Sequence, residues 1–143
     1  MKKTLIRASV AALGTIGVLA APTVAHALPP LPLAPQCTQW GFDGQSRIDE
    51  TGTPWFVEFY SNGKLAYGGA TASTGSESKK GTVRGGITDD GYYNVSVDYD
   101  NGQHQLYKGV VGLDGIASGV TSNGIAAESG HRFTSRLECL SPG

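Results

Sequence analysis

Short runs in which apolar and polar residues alternate occupy most of the chain beyond residue 37. In the clearest run, 92–99, Tyr93, Val95, Val97 and Tyr99 share one face, and the other face is mostly polar. A period of two is that of a β-strand with one buried and one solvated side. The same reading predicts strands at 38–42, 46–49, 54–60, 64–72, 81–88, 92–99, 103–112, 115–121 and 131–139.

Alternation also predicts which side chains face the interior. Tyr67 is expected to point inward from 64–72, as Tyr93 and Tyr99 do from theirs, and Cys139 is expected on the core face of the last strand. The run 54–60 differs because it is apolar on both faces. It predicts Trp55 on the core face with Phe56 and Tyr60 on the other, where they suggest a covering loop, a subunit contact or a partner site.

Six Asx-Gly dipeptides separate these runs: 43–44, 62–63, 90–91, 101–102, 114–115 and 123–124. Both residues of an Asx-Gly pair tolerate a positive φ, which the tight turn of a twisted β-hairpin requires. The chain therefore reads as an antiparallel meander. The polar run 71–80 is expected to form a mobile loop.

The first 27 residues have the features of a cleaved signal peptide. Lys2, Lys3 and Arg7 precede an uncharged, mostly apolar run, and Ala25 and Ala27 supply a small-x-small cleavage pattern. Residues 28–36 carry four prolines and predict an extended arm, which leaves 37–143 as one domain. We expect a secreted, extracellular protein, with association with the cell envelope as the alternative, and no membrane span after cleavage.

Two cysteines in an exported chain predict one disulfide, Cys37–Cys139. Because bridged Cα atoms lie about 4.4 to 6.8 Å apart, the first and last strands become neighbours. A meander whose ends meet is a closed, up-and-down barrel, here of about eight strands. A two-sheet β-sandwich is the alternative, since a disulfide can also join facing sheets.

Composition argues against several functions. Without the three basic residues of the leader, eight basic and twelve acidic residues give a formal charge of −4, and the basic residues are scattered, so nucleic acid is a poor partner. His104 and His131 are far apart in sequence and lie in no ligand-spaced cluster. We expect no metal, no cofactor and no enzymatic activity.

The segment containing Trp40, Asp43-Gly44, Ser46 and Ile48, followed by 62–68, resembles the opening hairpins of calycin-type barrels of the avidin and lipocalin kind. The resemblance implies an up-and-down barrel with a ligand cavity at one mouth. Avidin-like biotin sites also use tryptophans from later strands. This chain has only Trp40 and Trp55, both early, so biotin binding is not implied.

These observations lead to two hypotheses for a protein that is a monomer or a weak homo-oligomer. In the first, a non-enzymatic binding protein holds a small apolar or amphipathic ligand at a barrel mouth, using Trp55, Tyr67, Tyr93 and Tyr99. In the second, a cavity-free interaction module, such as a hydrolase inhibitor or an envelope or host-surface binding protein, contacts its partner through Phe56 and Tyr60.

Overall fold

The computed structural model describes residues 36–123 and 130–143, which form an all-β structure. Among these residues, no helix is long and apolar enough to cross a bilayer. The predicted signal peptide and all but Gln36 of the predicted arm lie outside the described residues, as does Gly124 of the last Asx-Gly pair. The nine strands are β1 (Cys37–Thr51), β2 (Phe56–Gly63), β3 (Leu65–Ser73), β4 (Ser78–Ile87), β5 (Tyr92–Tyr99), β6 (His104–Val111), β7 (Ile116–Ser122), β8 (Arg132–Arg136) and β9 (Glu138–Pro142).

Eight of these strands close into an antiparallel up-and-down barrel. Each strand from β1 to β8 pairs with the next, and β1 also pairs with β8. Ile48 shows the closure, because on β1 it lies opposite Val57 of β2 on one side and Ser135 of β8 on the other. A ring of paired strands leaves no free edge in this part of the sheet. The predicted barrel is confirmed, and the alternative sandwich is wrong.

The ninth strand continues β8 after an interruption at Leu137 and pairs with the first residues of β1. The predicted disulfide is confirmed there, with the Cα atoms of Cys37 and Cys139 5.6 Å apart. The expected inward orientation of Cys139 is wrong. The amide of Leu137 donates a hydrogen bond to the carbonyl of Gly115 instead of continuing the β8 ladder. The inward–outward alternation of side chains is therefore interrupted, and Cys139 is exposed.

The predicted break between two strands at Asp43-Gly44 is also wrong, because β1 is continuous. Asp43 and Gly44 lie opposite Asn62 and Ser61 of β2. Gly44 has a φ of 81°, and its amide donates a 2.8 Å hydrogen bond to the side-chain oxygen of Asn62. Here a residue with a positive φ is accommodated within a paired strand. The pairs at 62–63, 90–91, 101–102 and 114–115 do mark hairpin connections, as predicted.

The polar run 71–80 is strand for most of its length, and the expected mobile loop is limited to four residues. Ala72 of β3 lies opposite Lys79 of β4. The connection 74–77 is closed by a 3.0 Å hydrogen bond from the amide of Thr74 to the carbonyl of Glu77. The polar composition favours a loop, but the antiparallel pairing of β3 with β4 supplies backbone hydrogen bonds to both strands.

Aromatic rings fill the middle of the barrel. Phe42 packs edge-on against Phe59 and Tyr93, with ring centroids 5.4 and 6.1 Å apart. The ring of Phe133 extends this stack into an aromatic column, with its centroid 5.4 Å from those of both Tyr93 and Tyr107. All five residues are buried. A packed interior of this kind leaves room for a ligand only beyond the ends of the column.

The inward orientation predicted for Tyr67 is wrong. Alanines face the interior from β3, where Ala70 lies opposite Phe59 and Ala72 opposite Val57. Tyr67 has the opposite parity and is 58% exposed on the outer wall. Small residues fit inside because the large ring of Phe59 already occupies that space.

Candidate functional site at the barrel mouth

One end of the barrel is formed by the β1–β2, β3–β4 and β5–β6 connections, and a cavity of about 320 Å³ opens there. This volume is at the lower limit of ligand pockets, which span roughly 300–1,000 Å³. The cavity, called the mouth cavity below, combines aromatic, amide and charged groups. Its lining includes Glu50, Trp55, Lys79, Tyr99, Gln103 and Gln105.

The carboxylate of Glu50, which lines the mouth cavity, lies next to two tyrosines. The buried Tyr107 donates a 2.8 Å hydrogen bond from its hydroxyl to Oε1 of Glu50. Burial raises the pKa of Tyr107, and the neighbouring Tyr99 and Glu50 raise it further. Burial also raises the pKa of Tyr99, although its hydrogen bond with Tyr107 opposes that shift. Both phenols therefore stay protonated at neutral pH, and the proton of Tyr107 is engaged by Glu50.

One wall is built by Trp55 and Lys79. The backbone of Trp55 is fixed by a 3.1 Å hydrogen bond from the Glu50 amide to its carbonyl. The Lys79 ammonium lies 4.7 Å from the centroid of the Trp55 ring, a cation–π contact, and donates a 2.9 Å hydrogen bond to Oε1 of Gln103. These contacts tie β4 to the β1–β2 and β5–β6 connections across the opening.

The rim carries a charged cluster on β4, β5 and β6. Asp98 accepts a 2.6 Å hydrogen bond from Nδ1 of His104 and pairs through its other oxygen with Arg84. The hydrogen bond with His104, then that with Arg84, lowers the pKa of Asp98. His104 also contributes to the lining of the mouth cavity. The cluster therefore holds His104 at the edge of the opening.

The structure brings together only part of the predicted ligand set. Trp55 and Tyr99 line the mouth cavity. Tyr93 faces inward as predicted but lies in the aromatic column, where burial raises its pKa and its hydroxyl has no hydrogen-bond partner among the described residues. Tyr67 lies on the outer wall.

The two residues predicted to contact a protein partner have the expected outward parity. Tyr60 is 66% exposed. Phe56 is only partly exposed, because the guanidinium of Arg47 covers its ring at 3.8 Å from the centroid. Tyr60 is thus the more accessible of the two.

Sequence reasoning missed Glu50, Lys79, Gln105 and Tyr107. Glu50 lies at a predicted strand end, where carboxylates are usually solvated, and Lys79 falls in the expected loop 71–80. The alternation of Gln105 and Tyr107 within 103–112 was visible in the sequence and could have identified both as inward residues. Nothing local in the sequence indicates that Tyr107 meets Glu50, 57 residues earlier.

A second depression, on the outer wall, is more open to solvent. It has a volume of about 520 Å³ beside Tyr92, Val110 and Lys108. Its surface is mainly apolar, whereas polar groups from several strands converge on the mouth cavity. Convergent polar groups in a concave site are what distinguish a ligand pocket.

No group of three or more metal-ligating side chains occurs in residues 36–123 and 130–143. No protein-family model, curated protein or solved structure matches the chain. The resemblance to calycin-type barrels therefore still rests on the hairpin residues alone.

Proposed function

We propose that this protein is a secreted, non-enzymatic binding protein that holds a small amphipathic ligand in the mouth cavity. The observation that carries the proposal is the composition of that cavity. Trp55 and Tyr99 offer aromatic surface, while Glu50, Gln103 and Gln105 offer polar groups at the same opening. A ligand with one apolar and one polar part would satisfy both.

The aromatic column limits the size of this ligand. Tyr107 and Phe133 are buried directly next to one another, with centroids 5.4 Å apart, and Tyr107 is hydrogen-bonded to Glu50, which lines the cavity. A long acyl chain would have to displace these packed rings, which is costly in a dense interior. The proposal therefore favours a compact molecule over a fatty acid.

The absence of enzymatic activity is part of the proposal. His104 is the histidine nearest the cavity, and its described hydrogen bond is to Asp98, which also pairs with Arg84. Within the described ranges, no serine, threonine or cysteine side chain is hydrogen-bonded to His104. Nucleophilic catalysis of the triad kind requires such a pair.

Nuclear magnetic resonance with a library of small amphipathic compounds tests this function. Binding should perturb the indole signal of Trp55 and the side-chain amides of Gln103 and Gln105. Gln105→Trp should fill the cavity and abolish binding. Gln45→Trp, on the exposed outer face of β1, is the matched control and should bind normally. Binding that survives Gln105→Trp, or a library without a single binder, would refute the proposal.

The second candidate is a protein-binding role for the outer face of β2, and the exposure of Tyr60 favours it. A tyrosine projecting from a rigid barrel wall is a common interface anchor. Capture from envelope and culture fractions by wild-type protein, but not by Tyr60→Ser with an unchanged melting temperature, would support it. Equal capture by both proteins would exclude this role for Tyr60.

A further inference from the structure

Besides His104, which is hydrogen-bonded to Asp98, the lining of the mouth cavity includes one acidic and one basic side chain that are not paired with each other. Glu50 and Lys79 both line it. The ion pairs of the described residues include neither of them. Opposite charges lining one small cavity without an ion pair leave two separate poles for a ligand.

The Glu50 carboxylate has unused acceptor capacity. Tyr107 donates to Oε1, and no other hydrogen bond to this side chain occurs in the described part of the chain. A carboxylate has two oxygens and about four acceptor positions. The remaining positions suit an ammonium group, which would form a charge-assisted hydrogen bond in this partly buried setting.

The Lys79 ammonium likewise has unused donors. It donates to Gln103 and lies over the Trp55 ring, and neither group carries a negative charge. An ammonium has three donors, so two remain. They suit a carboxylate or another small anion at the wall of the cavity.

Resting on the proposed function, we infer that the ligand is a small zwitterion of the amino-acid type. Its ammonium group binds Glu50, its carboxylate binds Lys79, and its apolar body contacts the aromatic lining of the mouth cavity. A ligand with a single charge would shield both Glu50 and Lys79 from water but would pair with only one of them. The other side chain would then be a charge removed from water without a partner, which is strongly unfavourable.

Two matched ligand series test this inference by calorimetry. One comprises L-phenylalanine, 2-phenylethylamine and 3-phenylpropanoate, and the other L-norleucine, pentylamine and hexanoate. Within each series the body is kept and one charge is removed. The amino acid should bind about tenfold more tightly than either analogue, because each charge-assisted hydrogen bond contributes at that level.

Two variants assign the poles. Glu50→Gln should weaken binding of the amino acid and the amine but leave the acid unchanged. Lys79→Met, which keeps the apolar stem, should weaken binding of the amino acid and the acid but leave the amine unchanged. Glu58→Gln and Lys80→Met remove the same charges outside the mouth cavity and should have no effect.

The outcomes separate this inference from the proposed function. If neither amino acid binds, or if an amine or acid binds as tightly as its amino acid, the zwitterion is wrong. The proposed function still stands in that case, provided that a library compound binds and is blocked by Gln105→Trp. If no compound of any kind binds at the mouth, both fail together.

Discussion

The hydroxyl of Tyr107 on β6 donates a 2.8 Å hydrogen bond to the carboxylate of Glu50 near the end of β1. Strands β1 and β6 are not neighbours in the sheet, so this bond spans the barrel interior. It orients the Glu50 carboxylate, which lines the mouth cavity and which the proposed ligand would meet. Its loss should be visible in both stability and binding.

Tyr107→Phe removes this hydrogen bond and keeps the ring. We expect the free energy of unfolding to fall by about 2 kcal/mol, the typical contribution of a hydrogen bond to a charged group. Urea denaturation measures the change. Tyr92→Phe, on the exposed outer face of β5, is the control and should match wild type. Equal midpoints for all three proteins would contradict the role given to Tyr107.

Alkaline pH should destabilise the barrel. Burial raises the pKa of Tyr93 and Tyr107 above the usual tyrosine value near 10. A folded-state pKa above the unfolded value means that the unfolded chain ionises first. Stability is therefore fully present below about pH 10 and is lost as pH rises further. Urea midpoints measured across this range should fall steeply.

The alkaline effect can be assigned to residues. Tyr107→Phe should lose stability less steeply above about pH 10, because one of the two buried phenols is gone. Tyr92→Phe should keep the wild-type slope. A slope unchanged by Tyr107→Phe would show that this phenol does not control the alkaline transition.

Asp98→Asn tests the charged cluster at the rim. His104 and Arg84 lower the pKa of Asp98, so its contribution to stability is present above the ordinary aspartate value. It is lost as pH falls from about 4 through the lower folded-state pKa. We expect the variant to be less stable than wild type at neutral pH, with the difference shrinking below about pH 4, as measured by thermal unfolding.

Asp100→Asn is the matched control for that cluster. Asp100 is exposed in the β5–β6 connection, and its carboxylate makes no hydrogen bond or ion pair with the described residues. This variant should follow the wild-type pH profile. A constant difference between Asp98→Asn and wild type at all pH values would mean that the ionised carboxylate is not what stabilises the cluster.

Local sequence signals predicted the architecture well where side chain and backbone preferences agreed. In β5, alternation correctly places Val95 and Val97 inside. The turns at Asp90-Gly91 and Asn101-Gly102 occur where their residue types favour them. The same signals failed at Asp43-Gly44, because a positive φ can be accommodated within a paired strand when a neighbour such as Asn62 binds the amide.

The candidate site was less predictable because it depends on which strands meet across the interior. The alternation of β3 is ambiguous, since alanines and larger residues occupy opposite faces, and the burial of Phe59 decides which face turns inward. Glu50 and Lys79 carry no local signal for a cavity. The two residues line the same cavity only because the end of β1 and the start of β4 meet at the same mouth of the barrel.

Removing the disulfide should weaken the barrel without opening it. Cys37 and Cys139 enclose a sequence separation of 102 residues, and a link of that size contributes about 2 to 5 kcal/mol. Closure itself is made by the β1–β8 ladder through Ile48 and Ser135. The double variant Cys37→Ser/Cys139→Ser should keep its circular dichroism spectrum and unfold at lower urea. A spectrum of an unfolded chain at neutral pH and zero urea would contradict closure by the ladder.

Gly119→Ala tests how closely β6 and β7 approach. Gly119 lies opposite Gly109, and a Cβ at position 119 would overlap the backbone carbonyl of Lys108. Backbone cannot move aside as a flexible side chain can, so the two strands must separate locally. We expect the free energy of unfolding to fall by about 2 kcal/mol, in the range of other overpacked sites. Urea denaturation measures the loss.

Gly69→Ala supplies the comparison that separates overlap from the general effect of replacing a strand glycine. Gly69 lies on β3, has no positive φ, and an added Cβ would meet nothing within 4 Å. Alanine restricts the unfolded chain more than glycine does, so this variant should match or slightly exceed the stability of wild type. If both variants lose the same free energy, the cost lies in the sheet as a whole, and the close approach at Gly119 is not the cause.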